Sequence, residues 1–288
     1  MKPGVFGLAL VLGIVGQMAY AETPIERGSY LVNSIGACGN CHGRDASGNN
    51  FYADGSLAGG VSFDTVDPDL PGHVIAQNIT PDKDTGIGKW SETDIVFALR
   101  NGKRPDGRII GPPMPIPFYR QLSEQDATAI AAYLLSARPA KNAVEKSQYT
   151  IQLTEYGSPV THVDAPSPAD NIAYGAYLVT FGHCVACHTP PGENGEPLNM
   201  TLAFAGGRQL GSIGQISPSV SRNITSDPDY GLGKWTDDQI KTAITKGVRP
   251  DGTKLGGPMA FDWYAKITPG DLDAIVAYLR TIKPVKNQ

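Results

Sequence analysis

The chain has 288 residues and 41% hydrophobic content, enough for about two globular domains. A formal charge of -4 gives it no basic field and excludes nucleic acid as a partner. Its 34 glycines and 23 prolines point to a loop-rich fold, yet fall short of a low-complexity composition.

The first element, residues 1–21, reads as a signal peptide. Lys2 precedes an uncharged stretch over 3–21, apolar through 5–15, that closes with Ala19-Tyr20-Ala21. Nineteen uncharged residues could also span a bilayer as a retained anchor, but the glycines, Gln17 and the small-residue site favour cleavage before Glu22. Cleavage implies export to the periplasm.

A helical pattern over 25–33 leads into Cys38-Gly39-Asn40-Cys41-His42. Two thiols on adjacent helical turns can each add to one vinyl group of a single porphyrin, while the next residue offers imidazole to its iron. CxxCH is the attachment motif of c-type haem. Trp90 then precedes Ser91-Glu92-Thr93-Asp94, a capped helix start, and Gly102 marks that helix's end. A last helix begins at Ser123. Its Ala127, Ile130, Ala131 and Leu134 form an i, i+3, i+4, i+7 stripe expected to pack across the 25–33 helix.

Residues 143–171 are rich in proline and serine around Tyr156-Gly157-Ser158-Pro159 and Pro166-Ser167-Pro168. They read as an extended linker, or alternatively as a strap across both flanking units. A helical pattern resumes over 170–180, and Cys184-Val185-Ala186-Cys187-His188 uses the remaining cysteines. Trp235 precedes another capped start, Gly247 another end, and Thr268-Pro269 opens the final helix with its stripe of Leu272, Ile275, Val276 and Leu279. No strand alternation is sustained, so the fold class is all-α with long ordered loops.

Sliding the chain on itself by 145 residues superposes Asn78-Ile79-Thr80 on Asn223-Ile224-Thr225 and Gly88-Lys89-Trp90 on Gly233-Lys234-Trp235. Arg104-Pro105-Asp106-Gly107 falls on Arg249-Pro250-Asp251-Gly252, Met114 on Met259, and Pro139-Ala140-Lys141-Asn142 on Pro284-Val285-Lys286-Asn287. This is a duplicated domain, with units at 22–142 and 172–288.

Duplication also decides between readings of the cysteines. A zinc site, a disulfide or a redox dithiol would each suit one motif; two copies behind an export signal point to two covalently bound haem c groups. Cys38, Cys41, Cys184 and Cys187 would attach them, with His42 and His188 as proximal ligands. Met114 and Met259, 72 and 71 residues beyond those histidines, are the candidate sixth ligands. Both lie in Gly-Pro-rich loops, where prolines restrict the backbone that presents the sulfur. Met200 is a rival in the second unit without a counterpart in the first. His73, His162 and His183 read as surface or locally hydrogen-bonded residues. Asn78, Trp90, Arg104, Asn223, Trp235 and Arg249 are repeated positions that could donate to haem propionates; capping, turn formation and packing are the alternatives.

With CxxCH, NIT, GxGKW, RPDG and GPxM in order, each half resembles a class I cytochrome c domain. It is most similar to the repeated haem domains in cytochrome c subunits of periplasmic alcohol, aldehyde and sugar dehydrogenases. The resemblance implies His42/Met114 and His188/Met259 ligation. It also implies electron transfer from a periplasmic dehydrogenase toward an oxidase, a quinone-linked complex or another cytochrome. Members of that group commonly carry three haem units and a C-terminal membrane attachment. Two units alone fit a diheme shuttle, or a subunit held at the membrane periphery by other proteins. The competing function is a catalytic diheme enzyme, a peroxidase or an oxidase of small sulfur compounds, which needs one displaceable axial ligand. Two matched methionine loops favour the non-catalytic carrier.

Overall fold

The computed structural model describes residues 22–43, 57–64, 70–193, 196–211 and 218–287. The expected signal peptide, 1–21, lies outside them. Among the described residues no helix is long and apolar enough to cross a membrane.

Local capping chemistry sets the helix ends. Helix α1 (Pro24–Asn33) starts at Thr23, whose hydroxyl accepts from the Glu26 N–H while the Glu26 carboxylate accepts from the Thr23 N–H. The short α2 (Cys38–His42) carries the first CxxCH. Helix α3 (Glu92–Asn101) has a capping box from Ser91 to Asp94 and stops at Gly102, left-handed at φ 63°. After α4 (Ile116–Tyr119), the Ser123 hydroxyl caps α5 (Glu124–Ser136). The second unit repeats the plan with α6 (Asn171–Phe181), α7 (Cys184–Cys187), α8 (Asp237–Lys246), α9 (Phe261–Tyr264) and α10 (Pro269–Thr281). The all-α expectation holds. The strands among the described residues are two-residue antiparallel pairs, β1 (Gly72–His73) with β2 (Gln148–Tyr149) and β3 (Gln209–Leu210) with β4 (Ser219–Val220).

In each unit the first helix crosses the last, α1 on α5 and α6 on α10, with the predicted stripes buried between them. Glycine permits the crossing. A Cβ on Gly28 would lie 1.9 Å from the Ala129 carbonyl oxygen, and one on Gly175 would lie 1.9 Å from that of Ala274. Two repeated motifs prove to be partners: Asn78 Nδ2 donates to Ala140 O at 2.8 Å, and Asn223 Nδ2 to Val285 O at 2.7 Å. Each unit's C-terminal tail is thereby fastened to its own NIT segment.

The two units share one continuous buried core. Their contact is reciprocal. The Tyr30 hydroxyl donates to Asp271 at 2.5 Å and accepts from the Thr268 N–H at the start of α10. Its repeat mate Tyr177 donates to Asp126 at 2.6 Å and accepts from the Ser123 N–H at the start of α5. Each first helix thus helps to cap the last helix of the other unit.

The 143–171 segment is extended, as the linker reading expects, but it is packed onto the first unit. The Ser147 hydroxyl accepts from the Ile75 N–H and β2 pairs with β1. Further along, Val160 N–H donates to Asn101 Oδ1, and Val163 O accepts from the Glu124 N–H.

Candidate functional site

A cavity of about 1690 Å³ runs between the units, larger than the roughly 300–1,000 Å³ of a single small-molecule pocket. Both CxxCH helices line it, as do His42, His188, Met114 and Met259. Each CxxCH helix follows a left-handed residue, Ala37 at φ 42° and His183 at φ 43°, which turns the chain sharply out of the preceding helix.

All four cysteines are half-buried. Burial pushes the Cys38, Cys41 and Cys184 thiols up to about 12, Cys41 with a further contribution from nearby Cys187. Such thiols stay neutral in the free protein, which disfavours a low-pKa redox pair. Among the described residues no group of three or more His, Cys, Asp or Glu side chains is arranged to hold a metal ion.

Both histidines are oriented by backbone carbonyls. His42 Nδ1 lies 2.7 Å from Gln77 O and His188 Nδ1 lies 2.7 Å from Arg222 O. A carbonyl only accepts, so Nδ1 carries the proton in each ring and Nε2 keeps its lone pair for a metal. Burial also lowers both imidazole pKa values, against the opposing pull of those carbonyls, and so favours the neutral, ligating form.

Met114 is half-buried against the core just before α4, and Met259 stands at the equivalent place before α9. Met200 is 61% exposed at the cavity rim. Among the repeated polar positions, Arg104 stacks on Trp90 at 5.1 Å and Arg249 on Trp235 at 6.0 Å, all four in the cavity wall. Arg104 Nε is buried without a hydrogen-bond partner, and burial followed by repulsion from Arg108 lowers the guanidinium pKa. An anion at that position would relieve both costs. The RPDG segments are tight turns as well: Gly107 N–H donates to Arg104 O and Gly252 N–H to Arg249 O, with both glycines left-handed.

Asn78 and Asn223 also border the cavity, but their amides are engaged elsewhere. Besides the tail carbonyls, Asn78 Oδ1 accepts from the Thr80 N–H and hydroxyl, and Asn223 Oδ1 does the same with Thr225. Of the spare histidines, His73 pairs with Asp64 at 2.6 Å and His162 with Asp164 at 3.0 Å, both exposed as expected. His183 differs. Its ring faces the cavity and lies 6.4 Å from that of Tyr119 in the other unit, because the left-handed turn before Cys184 points the side chain inward.

Sequence reasoning missed the Gln77 and Arg222 carbonyls, which have no side-chain signature. It also missed Tyr119 and Tyr264, repeat mates that line the cavity between the two motifs.

A family model described as cytochrome c matches residues 25–138 and again 172–283. The cytochrome c subunit of the quinone alcohol dehydrogenase of Gluconacetobacter polyoxogenes is 31% identical over 300 residues, covering 96% of this chain and 61% of that subunit. The gluconate 2-dehydrogenase cytochrome c subunit of Pantoea cypripedii is 30% identical, covering 96% and 64%. A diheme cytochrome c-type protein of Cereibacter sphaeroides is 29% identical over 269 residues, covering 87% and 83%. The chain therefore spans less than two thirds of the dehydrogenase subunits it matches.

Proposed function

The chain belongs to the cytochrome c family, with two such domains and two covalently bound haem c groups, and on that premise we propose that it carries electrons through two His/Met-ligated sites. The donor in this reading is a periplasmic dehydrogenase and the destination the respiratory chain, by way of an oxidase, a quinone-linked complex or another cytochrome. An exported protein with a cleaved 1–21 signal, units at 22–142 and 172–288, and a connecting 143–171 segment completes it.

The observation that carries the proposal is the matched pair of histidines with Nδ1 committed to a carbonyl. Haem supplies a one-electron iron couple when bound. The chain's own residues do the rest. Cys38, Cys41, Cys184 and Cys187 attach the groups, and His42 and His188 present Nε2. Met114 and Met259 offer thioether sulfur from the opposite loops, which favours reduced iron. Arg104 and Arg249, each stacked on tryptophan, donate to propionates. Apolar walls such as Ile87, Ile95, Leu232 and Ile240 exclude water, so little reorganises when charge changes. The shared cavity lined by both CxxCH motifs supports transfer between the two sites within the molecule.

Absorption spectra test the ligation. Both sites are expected to be low-spin, with the weak near-infrared band of ferric iron bound by thioether. Met114→Ala and Met259→Ala should each remove that band from one site and lower its potential. A band unchanged by either substitution refutes that ligand. Co-purification of the native protein identifies the donor and the acceptor.

A further inference from the structure

The 143–164 strap has a use beyond joining the units, and it rests on the ligation proposed above. It crosses both walls of the first site. On the histidine side, the Gln77 side chain, whose own backbone carbonyl orients His42, donates to Glu145 O at 2.9 Å. On the methionine side, the Tyr149 hydroxyl donates to Pro112 O at 2.8 Å and the Tyr156 hydroxyl to Ile110 O at 2.9 Å. Both carbonyls belong to the loop that ends in Met114. The contact is close in space as well: a Cβ on Gly111 would lie 2.6 Å from the Tyr149 ring, and one on Gly102 would lie 2.6 Å from that of Tyr156. Burial raises the pKa of both phenols, so they remain donors across the physiological range.

The second unit has the same loop base, since Leu255 N–H donates to Gly247 O as Ile110 N–H donates to Gly102 O, both at 2.7 Å. Yet among the described residues no tyrosine hydroxyl donates to its loop, whose outside neighbour is the small side chain of Ser219 against Gly257. A Cβ on Gly256, the mate of Gly111, would meet nothing within 4 Å, and Gly256 is exposed where Gly111 is buried.

We propose that Tyr149 and Tyr156 are positioning residues for the Met114 sulfur. They clamp its loop so that the first site resists displacement of methionine by outside ligands, while the Met259 loop opens more readily. The energetic basis is simple. Displacing a loop-borne ligand requires the loop to move, and each hydroxyl–carbonyl bond adds to the cost of that movement.

Imidazole titration of the full-length holoprotein, followed through loss of the thioether band, tests this. In the wild type the Met259 site is expected to exchange at lower imidazole concentration than the Met114 site. In a Met259→Ala background, where only the Met114 site reports, Tyr149→Phe with Tyr156→Phe should raise imidazole affinity roughly tenfold or more. In a Met114→Ala background, where imidazole binding at the first site is read instead from its change to the low-spin spectrum, the same tyrosine changes should leave that affinity unaltered, because there is no methionine left to displace. If the double substitution prevents folding, Tyr156→Phe alone is read in the same way, with a several-fold rise expected. Unchanged affinity in the Met259→Ala background overturns the clamp while leaving the ligation intact. An equal rise in the Met114→Ala background also overturns it, since the tyrosines would then act on the fold at large. If Met114→Ala leaves the band at full intensity, the ligation and the clamp fall together.

Discussion

Replacing Gly28 by alanine tests the helix crossing on which both sites are built. In an exposed helix this change stabilises by about 1 kcal/mol, because glycine is the more flexible residue in the unfolded chain. Here the new methyl would lie 1.9 Å from the Ala129 carbonyl oxygen, against an ordinary contact near 3.5 Å. Helices α1 and α5 would have to part by roughly 1.5 Å at a normal separation of about 8–10 Å. Overpacking of this kind typically costs about 1–3 kcal/mol, and a clash this close on backbone falls at the upper end, so after the gain of about 1 kcal/mol the expected outcome is net destabilisation of roughly 1–2 kcal/mol. Gly270→Ala supplies the control, because Gly270 is an exposed residue in the first turn of α10 with nothing within 4 Å of its added methyl. It should stabilise by about 0.5–1 kcal/mol. Guanidinium unfolding of the holoprotein, followed by far-ultraviolet circular dichroism, measures both. A Gly28→Ala protein as stable as the wild type, or more stable, refutes the close-crossing argument.

Tyr177→Phe should cost about 1.5–3 kcal/mol in the same assay, since Asp126 loses a buried hydroxyl donor; no loss would mean the reciprocal capping contributes nothing. Burial lowers His183 to about 4 in the fold, whereas the unfolded imidazole titrates near 6.5. The unfolded chain therefore binds a proton that the folded chain refuses, and on the order of 3 kcal/mol of stability is lost as pH falls from about 6.5 to about 4. His183→Asn, tolerated at the left-handed φ, should flatten that part of the profile, and an unchanged profile would show that His183 is not its source. Arg104→Gln removes a positive charge from the wall of the first site and should lower that site's potential by roughly 30–60 mV in spectroelectrochemical titration. A potential that stays the same or rises would exclude Arg104 from stabilising charge there.

Helix positions were legible because capping is local: Ser91, Thr236, Ser123 and Thr268 start the helices that the sequence places there. The duplicated motifs likewise drew attention to the four cysteines, His42, His188, Met114 and Met259, which all line one cavity. What repetition cannot supply is the reason a residue is repeated. Asn78 and Asn223 could be propionate donors or packing residues, and their hold on the C-terminal tails was not legible, because the partner is a backbone carbonyl some 60 residues away that no side-chain pattern marks. The 143–171 segment posed a similar difficulty. Its proline and serine content describes an extended chain correctly but says nothing about what that chain lies against. Nor could spacing reveal that Tyr30 and Tyr177 reach across to the opposite unit.

That exchange of tyrosines is self-complementary. A lone ancestral unit bearing one such tyrosine and one such aspartate would have paired with a second copy of itself through the same patch. Joining two copies in one polypeptide makes the pairing unimolecular, so dilution cannot separate them, and the effective concentration of one unit around the other no longer depends on expression. Once joined, the halves were free to diverge. Arg27 in the first has Tyr174 as its mate in the second, and the two meet at 3.4 Å. The contact now carries a polarity that no symmetric dimer could have.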